Sequence, residues 1–344
     1  MISNEIRPNT TRATSMKAIV QDVYGSADVL ELREIERPTV GENEVLVRVR
    51  AAGVNVADWA VMSGLPYIAR PIYGLGKPKK AVRGTDVAGQ VEAVGAGVTR
   101  FQPGDEVFGW SGHLGGAFAE YVSVSEAALV SKPTKLSFEQ AAAVPMAGTV
   151  ALLAIRGGKV QAGQKVLVNG ASGGIGTFAV QMAKSLGAHV TGVTSTKNMD
   201  LVRSIGAEEV IDYTKVDFTR TGQQYDFILD NVANRSLSDL RRALTPRGTL
   251  VPNGGGFEHR WVASGGRLIG AKVSFAFGTQ KVLTFIASPK QENLVALKEF
   301  LAAGTVTPVI DRPYPLNQTA DAIRYVGQGH ARGKVVVTVT GATS

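Results

Sequence analysis

A glycine-rich turn between a buried strand and a helix constrains this chain most. Lys165 to Val168 is a short apolar run typical of a buried parallel strand, and apolar residues recur at helical spacing from Phe178 to Leu186. The turn between them carries few side chains, so its backbone N–H groups can approach a pyrophosphate at the positive end of the helix. Its residues are Gly170, Ala171, Ser172, Gly173, Gly174, Ile175 and Gly176.

Within this turn, an A-x-G-x-x-G pattern falls on Ala171, Gly173 and Gly176. In dinucleotide-binding folds the first residue makes the tight turn, the second admits the pyrophosphate and the third lets the helix pack on the strand. A second strand follows, from His189 to Val193. We therefore predict that the turn binds a dinucleotide; the alternative is a glycine-rich turn that binds no ligand.

The end of the second strand indicates which dinucleotide binds. NAD-binding proteins usually place an acidic residue about 20 residues after the fingerprint begins, whereas a 2′-phosphate needs neutral donors and a cation. Here the strand ends in Thr194, Ser195, Thr196 and Lys197. Asp200 lies too far along the chain to be the expected acid. The sequence favours NADPH over NADH, unless Ser195 and Thr196 only cap the next helix.

The length of 344 residues predicts two domains, because one core seldom covers so many residues. Residues 1–15 are polar and predict a disordered tail. Short β-rich runs separated by Gly, Pro and Asp predict a β-rich domain over 16–138, and a strand–helix series predicts a nucleotide-binding domain over 139–288. Residues 289–344, which end in the predicted strand Lys334 to Thr340, close the chain. If that strand joins the β-rich domain, the nucleotide-binding domain is inserted into it.

Charge and cysteine content exclude several classes of protein. The net charge of +8 comes from basic residues scattered among acidic ones, so we expect no nucleic-acid partner. The chain has no cysteine, which excludes disulfides, thiolate catalysis and cysteine-ligated metals. No apolar run reaches the roughly 18 residues of a membrane span, and no secretory signal is evident. We expect a cytoplasmic location; the alternative is a transit peptide in the first fifteen residues.

Several spaced motifs resemble the medium-chain dehydrogenase/reductase superfamily, and most closely its zinc-free quinone oxidoreductase branch. The resemblance covers about residues 16–340. It is carried by AAGVNVADW (51–59), RGTDVAGQVEAVG (83–95), PGDEVFG (103–109), GAFAEY (116–121), AAAVPMAGTVAL (141–152), the glycine turn and GKVVV (333–337). It implies an α/β fold in which a Rossmann domain is inserted in a GroES-like catalytic domain.

The resemblance also has informative departures. Where zinc-dependent alcohol dehydrogenases of this superfamily have a ligand cysteine, this chain has Asn55; where they have the ligand histidine, it has Thr85, followed by Asp86. Their second ligand cysteine falls near Met146, and the four-cysteine structural loop is missing. Without thiolate or imidazole at these points, a tetrahedral catalytic zinc is not expected.

What remains without the metal is hydride delivery from NADPH, which the protein supports by orienting the cofactor and stabilising a developing oxyanion. Quinones and α,β-unsaturated carbonyls fit, because conjugation spreads the charge. The resemblance implies that Asn55 and Asp58 line the cleft near the nicotinamide. Asn55 is expected to donate to a substrate oxygen or to hold the nicotinamide amide, and Asp58 to orient neighbours. Tyr67 is a candidate donor to the reduced oxygen, with a packing role for its ring as the alternative.

Further cofactor contacts are predicted at strand ends and by resemblance. Asn231 and Val232 follow Asp230 at the end of one strand, and Asn253, Gly254 and Gly255 end the next, at the carboxyl edge where open α/β sheets bind ligands. By resemblance, Met146 and Thr149 lie against the nicotinamide end, and Tyr213 lies beside the adenosine. Relatives carry a lysine about fifteen residues before that tyrosine; that place is Asn198 here, with Lys197 adjacent. Lys334 is predicted to reach the cofactor, or else only to begin the last strand.

Other functions stay open at this point. The chain could keep the dinucleotide site as a redox sensor, or as an RNA- or partner-binding protein, since a fold does not fix function. Within the enzymes, carbonyl and enoyl-thioester reductases compete with reductases of quinones and enones. The expected partner is a small-molecule substrate. By resemblance we expect a homodimer, with Lys272 to Phe277 as a candidate edge strand.

Overall fold

Two large β-sheets and a two-stranded sheet, together with their helices, make up the described part of the protein. The computed structural model describes residues 15–112, 114–254, 265–276, 278–288 and 290–339. The predicted contact Gly255 and most of the predicted tail therefore lie outside the described residues. The first part of the chain contains β1 (Ser15–Val20), β2 (Glu31–Glu36), β3 (Glu44–Val54), α1 (Val56–Ser63), α2 (Arg70–Tyr73), β4 (Asp86–Val94), β5 (Glu106–Trp110), β6 (Tyr121–Ser125), β7 (Leu129–Ser131) and α3 (Phe138–Ala142).

The middle of the chain forms a six-stranded parallel sheet with its helices. Its elements are α4 (Pro145–Gly157), β8 (Lys165–Asn169), α5 (Gly174–Ser185), β9 (His189–Thr194), α6 (Met199–Ser204), β10 (Glu209–Asp212), β11 (Tyr225–Asp230), α7 (Leu237–Arg242), β12 (Leu244–Pro252), α8 (Gly265–Phe275) and β13 (Lys281–Val282). The strands lie in the order β10-β9-β8-β11-β12-β13. Numbered along the chain this order is 3-2-1-4-5-6, the order of the Rossmann fold, and it confirms the predicted fold class.

The second sheet is mixed and belongs mainly to the β-rich part. The chain closes with α9 (Gln291–Ala302), β14 (Ile310–Pro315), α10 (Thr319–Gly327) and β15 (Lys334–Thr338). The sheet runs β14-β15-β3-β4-β5-β7, and β6 also pairs with β3. β15 is antiparallel to β3, with Val335 opposite Val54 and Thr338 opposite Ala51. The last strand thus returns to this mixed sheet, which the first part of the chain began, after the parallel sheet is complete. The exact boundaries at 138 and 288 stay predictions.

The helical run predicted from Ala141 to Ala154 divides at Pro145, as its sequence indicates. α3 ends at Ala142, and α4 begins with Pro145 at its first position. Proline suits that position because its missing N–H would have no partner within the helix. The alanines of both helices are buried in the main hydrophobic core, where their small size allows the helices to approach β3, β4 and α5 closely.

The prediction of an edge strand from Lys272 to Phe277 is wrong where the structure describes the segment; Phe277 lies outside the described residues. Residues up to Phe275 belong to α8, and β13, paired with β12, is the edge of the parallel sheet. Ala271 and Phe275 are buried four residues apart, which is helical spacing, whereas Val273 is 63% exposed. The apparent two-residue alternation of Val273 and Phe275 was misleading, because packing of Phe275 in the core with Leu240 and Leu244 fixes a helical period.

Candidate functional site

The glycine turn lies where the sequence predicts it, between β8 and α5, and Gly173 caps the helix. A Cβ atom at Gly176 would lie 2.1 Å from the carbonyl oxygen of Gly170, so the turn itself requires glycine there. At Gly173, the nearest atom to an added Cβ would be the Gly170 oxygen, at 3.4 Å. Gly173 is therefore not required by the packing of the turn. The open space beside it, at the start of a twelve-residue helix, fits a bound pyrophosphate.

The end of β9 is tied to the glycine turn by side chains. Thr194 Oγ1 donates to Ser172 Oγ at 2.8 Å, and Asn198 Nδ2 donates to the same oxygen at 3.1 Å. Thr194, Ser172 and Asn198 are buried, whereas Thr196 and Lys197 are exposed. Asn198, at the place where relatives carry a lysine, thus supports the turn. Lys197 is the exposed cation beside it.

An acidic residue that was not predicted from the sequence lies near this edge. Asp212, at the end of β10, accepts hydrogen bonds from Thr196 Oγ1 and from the hydroxyl and backbone N–H of Thr214. The bond from Thr196, followed by those from Thr214, holds the pKa of Asp212 below its usual value. Tyr213 follows, half exposed, with its backbone N–H bonded to the Thr194 oxygen. Only strand pairing between β9 and β10 brings Asp212 here, which is why a search along β9 does not find it.

The predicted residues at the carboxyl edge also come together. Asp230 is fully buried; its Oδ1 accepts from Asn169 Nδ2 at 2.8 Å, and its Oδ2 from Arg267 Nη2 at 2.9 Å. Asn253 Nδ2 donates to Asn231 Oδ1 at 2.8 Å, which joins the ends of β12 and β11. Val232 is exposed, and a Cβ at Gly254 would clash with the backbone of Asn231. Arg267 was not predicted, because it comes from α8, far along the chain.

Buried polar side chains surround Asn55 at the other side of the site. We call this set the Asn55 cluster; it consists of Asn55, Asp58, Thr85, Asp86 and Lys334. Asn55 caps α1, and its backbone N–H donates to Asp58 Oδ2 at 2.8 Å. Asn55 Nδ2 donates to Thr85 Oγ1 at 3.2 Å. Asp86 accepts from the backbone N–H of Met146 at 3.1 Å, at the first turn of α4. Thr149, one turn further along α4, is also buried.

Lys334 enters this cluster from β15. Its Nζ donates to the Val54 oxygen at 3.0 Å and to Asn55 Oδ1, and lies 3.7 Å from Asp86 Oδ2. The predicted residues Asn55, Asp58 and Met146 are thus brought together around Lys334.

Burial shifts the pKa values within the Asn55 cluster. It raises the pKa of Asp58 to about 7, although the hydrogen bond from the Asn55 backbone opposes the shift. It raises the pKa of Asp86 to about 6, against the opposing charge of Lys334. Burial lowers the pKa of Lys334, against the attraction of Asp86 and Asp58. Arg83, only 2% exposed and missed by the sequence analysis, adds a positive charge that opposes the shift of Asp58.

Tyr67 lies in a short 3₁₀ turn, Tyr67–Ala69, before α2. The guanidinium of Arg70 lies 4.7 Å from the centre of its ring and 4.8 Å from that of Tyr24. These contacts give the ring a packing role on the segment 64–80. The proposed hydrogen bond from Tyr67 to a substrate stays a prediction.

The glycine turn and the Asn55 cluster adjoin each other. The backbone N–H of Gly333 donates to the Ser172 oxygen at 2.8 Å, and Gly333 forms a parallel bridge with Gly173. A Cβ at Gly174 would lie 3.0 Å from Lys334 Cδ. A dinucleotide on the turn would therefore have one end directed towards Asn55. In the described ranges, no group of three or more His, Cys, Asp or Glu residues could hold a metal ion, and none of the helices has the length and apolarity to cross a membrane.

Comparison with known proteins agrees with this architecture. Residues 41–134 match the alcohol dehydrogenase GroES-like domain family, and residues 205–337 match the zinc-binding dehydrogenase family. The chain is 32% identical to a chloroplast envelope quinone oxidoreductase homolog of Arabidopsis thaliana, over 94% of this chain and 98% of the relative. It is also 32% identical to an NADPH-dependent alkenal/one oxidoreductase of the same plant, over 94% of this chain and 79% of the relative.

The solved structure of a quinone oxidoreductase from Coxiella burnetii superposes with a TM-score of 0.84 at 28% identity. The superposition covers 95% of this chain and all of the other. The structural similarity therefore extends over both the β-rich part and the parallel-sheet part of the chain.

Proposed function

Since the chain belongs to the medium-chain dehydrogenase/reductase superfamily, in its quinone-oxidoreductase-like branch, and is an oxidoreductase, we propose that it reduces quinones or α,β-unsaturated carbonyls with NADPH and without zinc. The observation that carries this proposal is the contact between the glycine turn and the Asn55 cluster through Gly333 and Lys334. Through this contact, a dinucleotide bound on the turn would lie beside the buried amide of Asn55.

The side chains at the positions of a catalytic zinc support a mechanism without that metal. Asn55, Thr85 and Met146 stand at these positions, and none offers a thiolate or an imidazole. Asn55 and Thr85 are already hydrogen-bonded to each other at 3.2 Å. An amide donor therefore takes the place that a Lewis acid occupies in the zinc-dependent relatives.

The cofactor is held by the residues already described. NADPH supplies a hydride when it is bound. The backbone from Ser172 to Gly176 would cradle its pyrophosphate, and Lys197 with the hydroxyl of Ser195 would face its 2′-phosphate. The hydroxyl of Thr196 already donates its proton to Asp212, so Thr196 would border the 2′-phosphate without donating to it. The residues that would border its path along the carboxyl edge are Tyr213, Asn231, Val232, Asn253 and Gly254. Met146 and Thr149 would flank its nicotinamide end.

Asn55 stabilises the oxygen that becomes negative during reduction. One N–H of its amide is engaged by Thr85, and the second, which also interacts with Asp86, is the proposed donor to the substrate oxygen. Asp58 fixes the backbone of Asn55 and does not itself transfer the proton. Burial of the Asn55 cluster excludes water, which strengthens the hydrogen bond to a conjugated oxyanion.

The first experiment is NADPH oxidation by chelator-treated protein with quinones, enals, enones, an enoyl thioester and simple aldehydes, with NADH in parallel. We expect turnover with quinones or conjugated alkenes, a preference for NADPH, and no loss of activity on chelation. Reduction of the thioester alone or of simple aldehydes alone would replace the proposed substrate class. NADPH binding without turnover of any acceptor would instead favour a redox sensor.

We also propose a cytoplasmic location, although the names of the two plant relatives assign them to the chloroplast. A fluorescent fusion of the full chain in its source cells tests this location. Fluorescence confined to an organelle would contradict it.

A further inference from the structure

Lys334 is a buried cation whose hydrogen bonds are directed to the protein itself. It is 4% exposed, and its ammonium has three N–H donors. Two of them are engaged by the Val54 oxygen and Asn55 Oδ1, and Asp86 Oδ2 lies 3.7 Å away. The predicted direct contact of Lys334 with the cofactor stays a prediction. The side chain of Lys334 runs past Gly174 of the glycine turn, and its Nζ reaches Asn55 Oδ1.

The ammonium decides which way the Asn55 amide faces. An ammonium can donate only to an acceptor, so it selects Oδ1 and turns Nδ2 away from itself. Thr85 Oγ1, at 3.2 Å, accepts one N–H of Nδ2 and holds the amide from the other side. The second N–H of Nδ2 lies near Asp86, whose pKa a hydrogen bond from Asn55 lowers. An oxygen brought in by a ligand would share that N–H with the carboxylate.

The surrounding charges keep Lys334 at this point. Asp86 lies beside it and is itself held by the backbone N–H of Met146. Asp58 attracts Lys334 from α1, and Arg83 is the other cation that acts on Asp58. The positive charge of Lys334 beside Oδ1 also polarises the amide, so the N–H of Asn55 becomes a stronger donor.

We propose that Lys334 is a positioning residue that acts through Asn55: it holds the amide with its N–H towards the substrate oxygen and polarises that donor. The role rests on the proposed reductase function. In this role, the amide of Asn55 stabilises the oxyanion directly, and the ammonium of Lys334 stabilises it through that amide. This role also limits the substrates to those in which the negative charge formed by hydride addition lies on an oxygen that can accept a hydrogen bond.

The test compares Lys334→Met with Lys132→Met. Lys132 is a matched control, because it is also buried, donates to the Leu136 oxygen and pairs with Glu106 at 3.1 Å, outside the site. We expect K334M to lower kcat about 10- to 100-fold, as the loss of residues that orient a functional group does, with little change in the Kd of NADPH. K132M should keep kcat. A rise in the Kd of NADPH that accounts for the lost activity would overturn the proposal in favour of a cofactor contact.

Two further variants separate orientation from folding. Asn55→Asp keeps an oxygen for Lys334 but removes the outward N–H, so we expect NADPH binding without efficient turnover. In a double-mutant cycle, K334M should cost little more once Asn55 is replaced by alanine, because both changes remove the same donor. Full turnover by N55D, or additive losses in the cycle, would overturn the proposal.

A measurement without turnover distinguishes this proposal from the proposed function. The side-chain ¹⁵N–¹H signal of Asn55, assigned by its loss in N55A, reports the hydrogen bonds of the amide. We expect it to shift in K334M and to stay in place in K132M. If the wild-type protein reduces no acceptor, the proposed function fails, but this signal still decides whether Lys334 holds the amide. An unchanged signal in K334M would overturn that role.

Discussion

Asp58 shows how one side chain couples local structure to the site. It lies in the first turn of α1 and accepts from the backbone N–H of Asn55, so it both caps the helix and fixes the amide beside it. The sequence predicts this orienting role. It does not predict the burial that raises the pKa of Asp58 to about 7.

The raised pKa of Asp58 predicts how the stability of the protein depends on pH. The folded protein binds a proton at Asp58 more tightly than the unfolded chain, whose aspartate titrates near 3.8. The stabilisation from protonated Asp58 is therefore full below that pH and is lost as the pH rises through about 7. We expect the wild-type protein to lose stability relative to Asp58→Asn between about pH 5 and about pH 8, as measured by urea midpoints.

The control for this experiment is Asp200→Asn, since Asp200 is fully exposed in the first turn of α6. The difference in urea midpoint between D200N and the wild type should change much less with pH than the difference between D58N and the wild type. A difference between wild type and D58N that is the same at both pH values would contradict the burial effect.

A second prediction at the scale of single residues concerns Lys197. It is exposed beside the 3₁₀ turn Thr196–Asn198, and we expect it to bind the 2′-phosphate. Lys197→Glu should weaken NADPH binding about tenfold or more, because a hydrogen bond to a charged group contributes about 1.5–3 kcal/mol. NADH binding should change little. Fluorescence titration with both cofactors measures the ratio.

Lys135→Glu, which makes the same charge change at an exposed position outside the site, is the control for K197E. Equal weakening of NADPH and NADH binding by K197E would show a general effect of charge, and the assignment of Lys197 would then be wrong.

At the scale of elements, the turn between β8 and α5 separates two roles of glycine. Gly176 is needed by the fold, because its Cβ would overlap the Gly170 oxygen. Gly173 has room for a methyl group, so we expect any need for glycine at this position to come from a bound dinucleotide. The local pattern predicted both positions, since the turn is formed by neighbours along the chain.

We therefore predict different outcomes for alanine at these two positions. Gly173→Ala should fold with near wild-type Tm but bind NADPH at least about tenfold more weakly, as expected from even a modest loss of backbone contacts. Gly176→Ala should lower Tm, because backbone atoms must move. Thermal unfolding and NADPH titration measure the two effects.

Gly76→Ala is the control, because its Cβ would meet no atom within 4 Å; both quantities should stay near wild type. Tight NADPH binding by G173A would contradict the pyrophosphate site. Undiminished Tm in G176A would contradict the close packing of the turn.

For the whole molecule, the edge of the parallel sheet suggests how two chains associate. β13 is a two-residue edge strand, and α8 beside it exposes Ile269 and Val273 at 66% and 63%. Exposed strand edges and apolar side chains favour pairing. The expected dimer thus remains a prediction, although the strand first proposed for it is a helix.

Light scattering after size exclusion should give twice the 36.2 kDa of one chain. Val273→Asp should shift the mass towards one chain, because a charge would be buried in the interface. Leu75→Asp, at an exposed position of the β-rich part, should not. A single-chain mass for the wild type would contradict the dimer, and an unchanged mass for V273D would contradict this interface.

The sequence by itself determined the features that depend on near neighbours. The glycine turn, the strands around it and the division of α3 from α4 at Pro145 follow from local spacing and backbone chemistry. Motifs spread along the chain carried the family and pointed to Asn55 and Asp58. Local alternation failed at α8, because the period there is set by the core into which Phe275 packs.

Only the tertiary structure decided what surrounds Asn55. Val54 and Lys334 are 280 residues apart along the chain, and only the pairing of β15 with β3 brings Lys334 to Asn55. The pKa values of Asp58 and Asp86 depend on the same assembly, because burial arises only when distant elements close around them. Short-range patterns specify turns and helices, whereas the protonation and orientation of buried groups depend on contacts that a linear pattern does not contain.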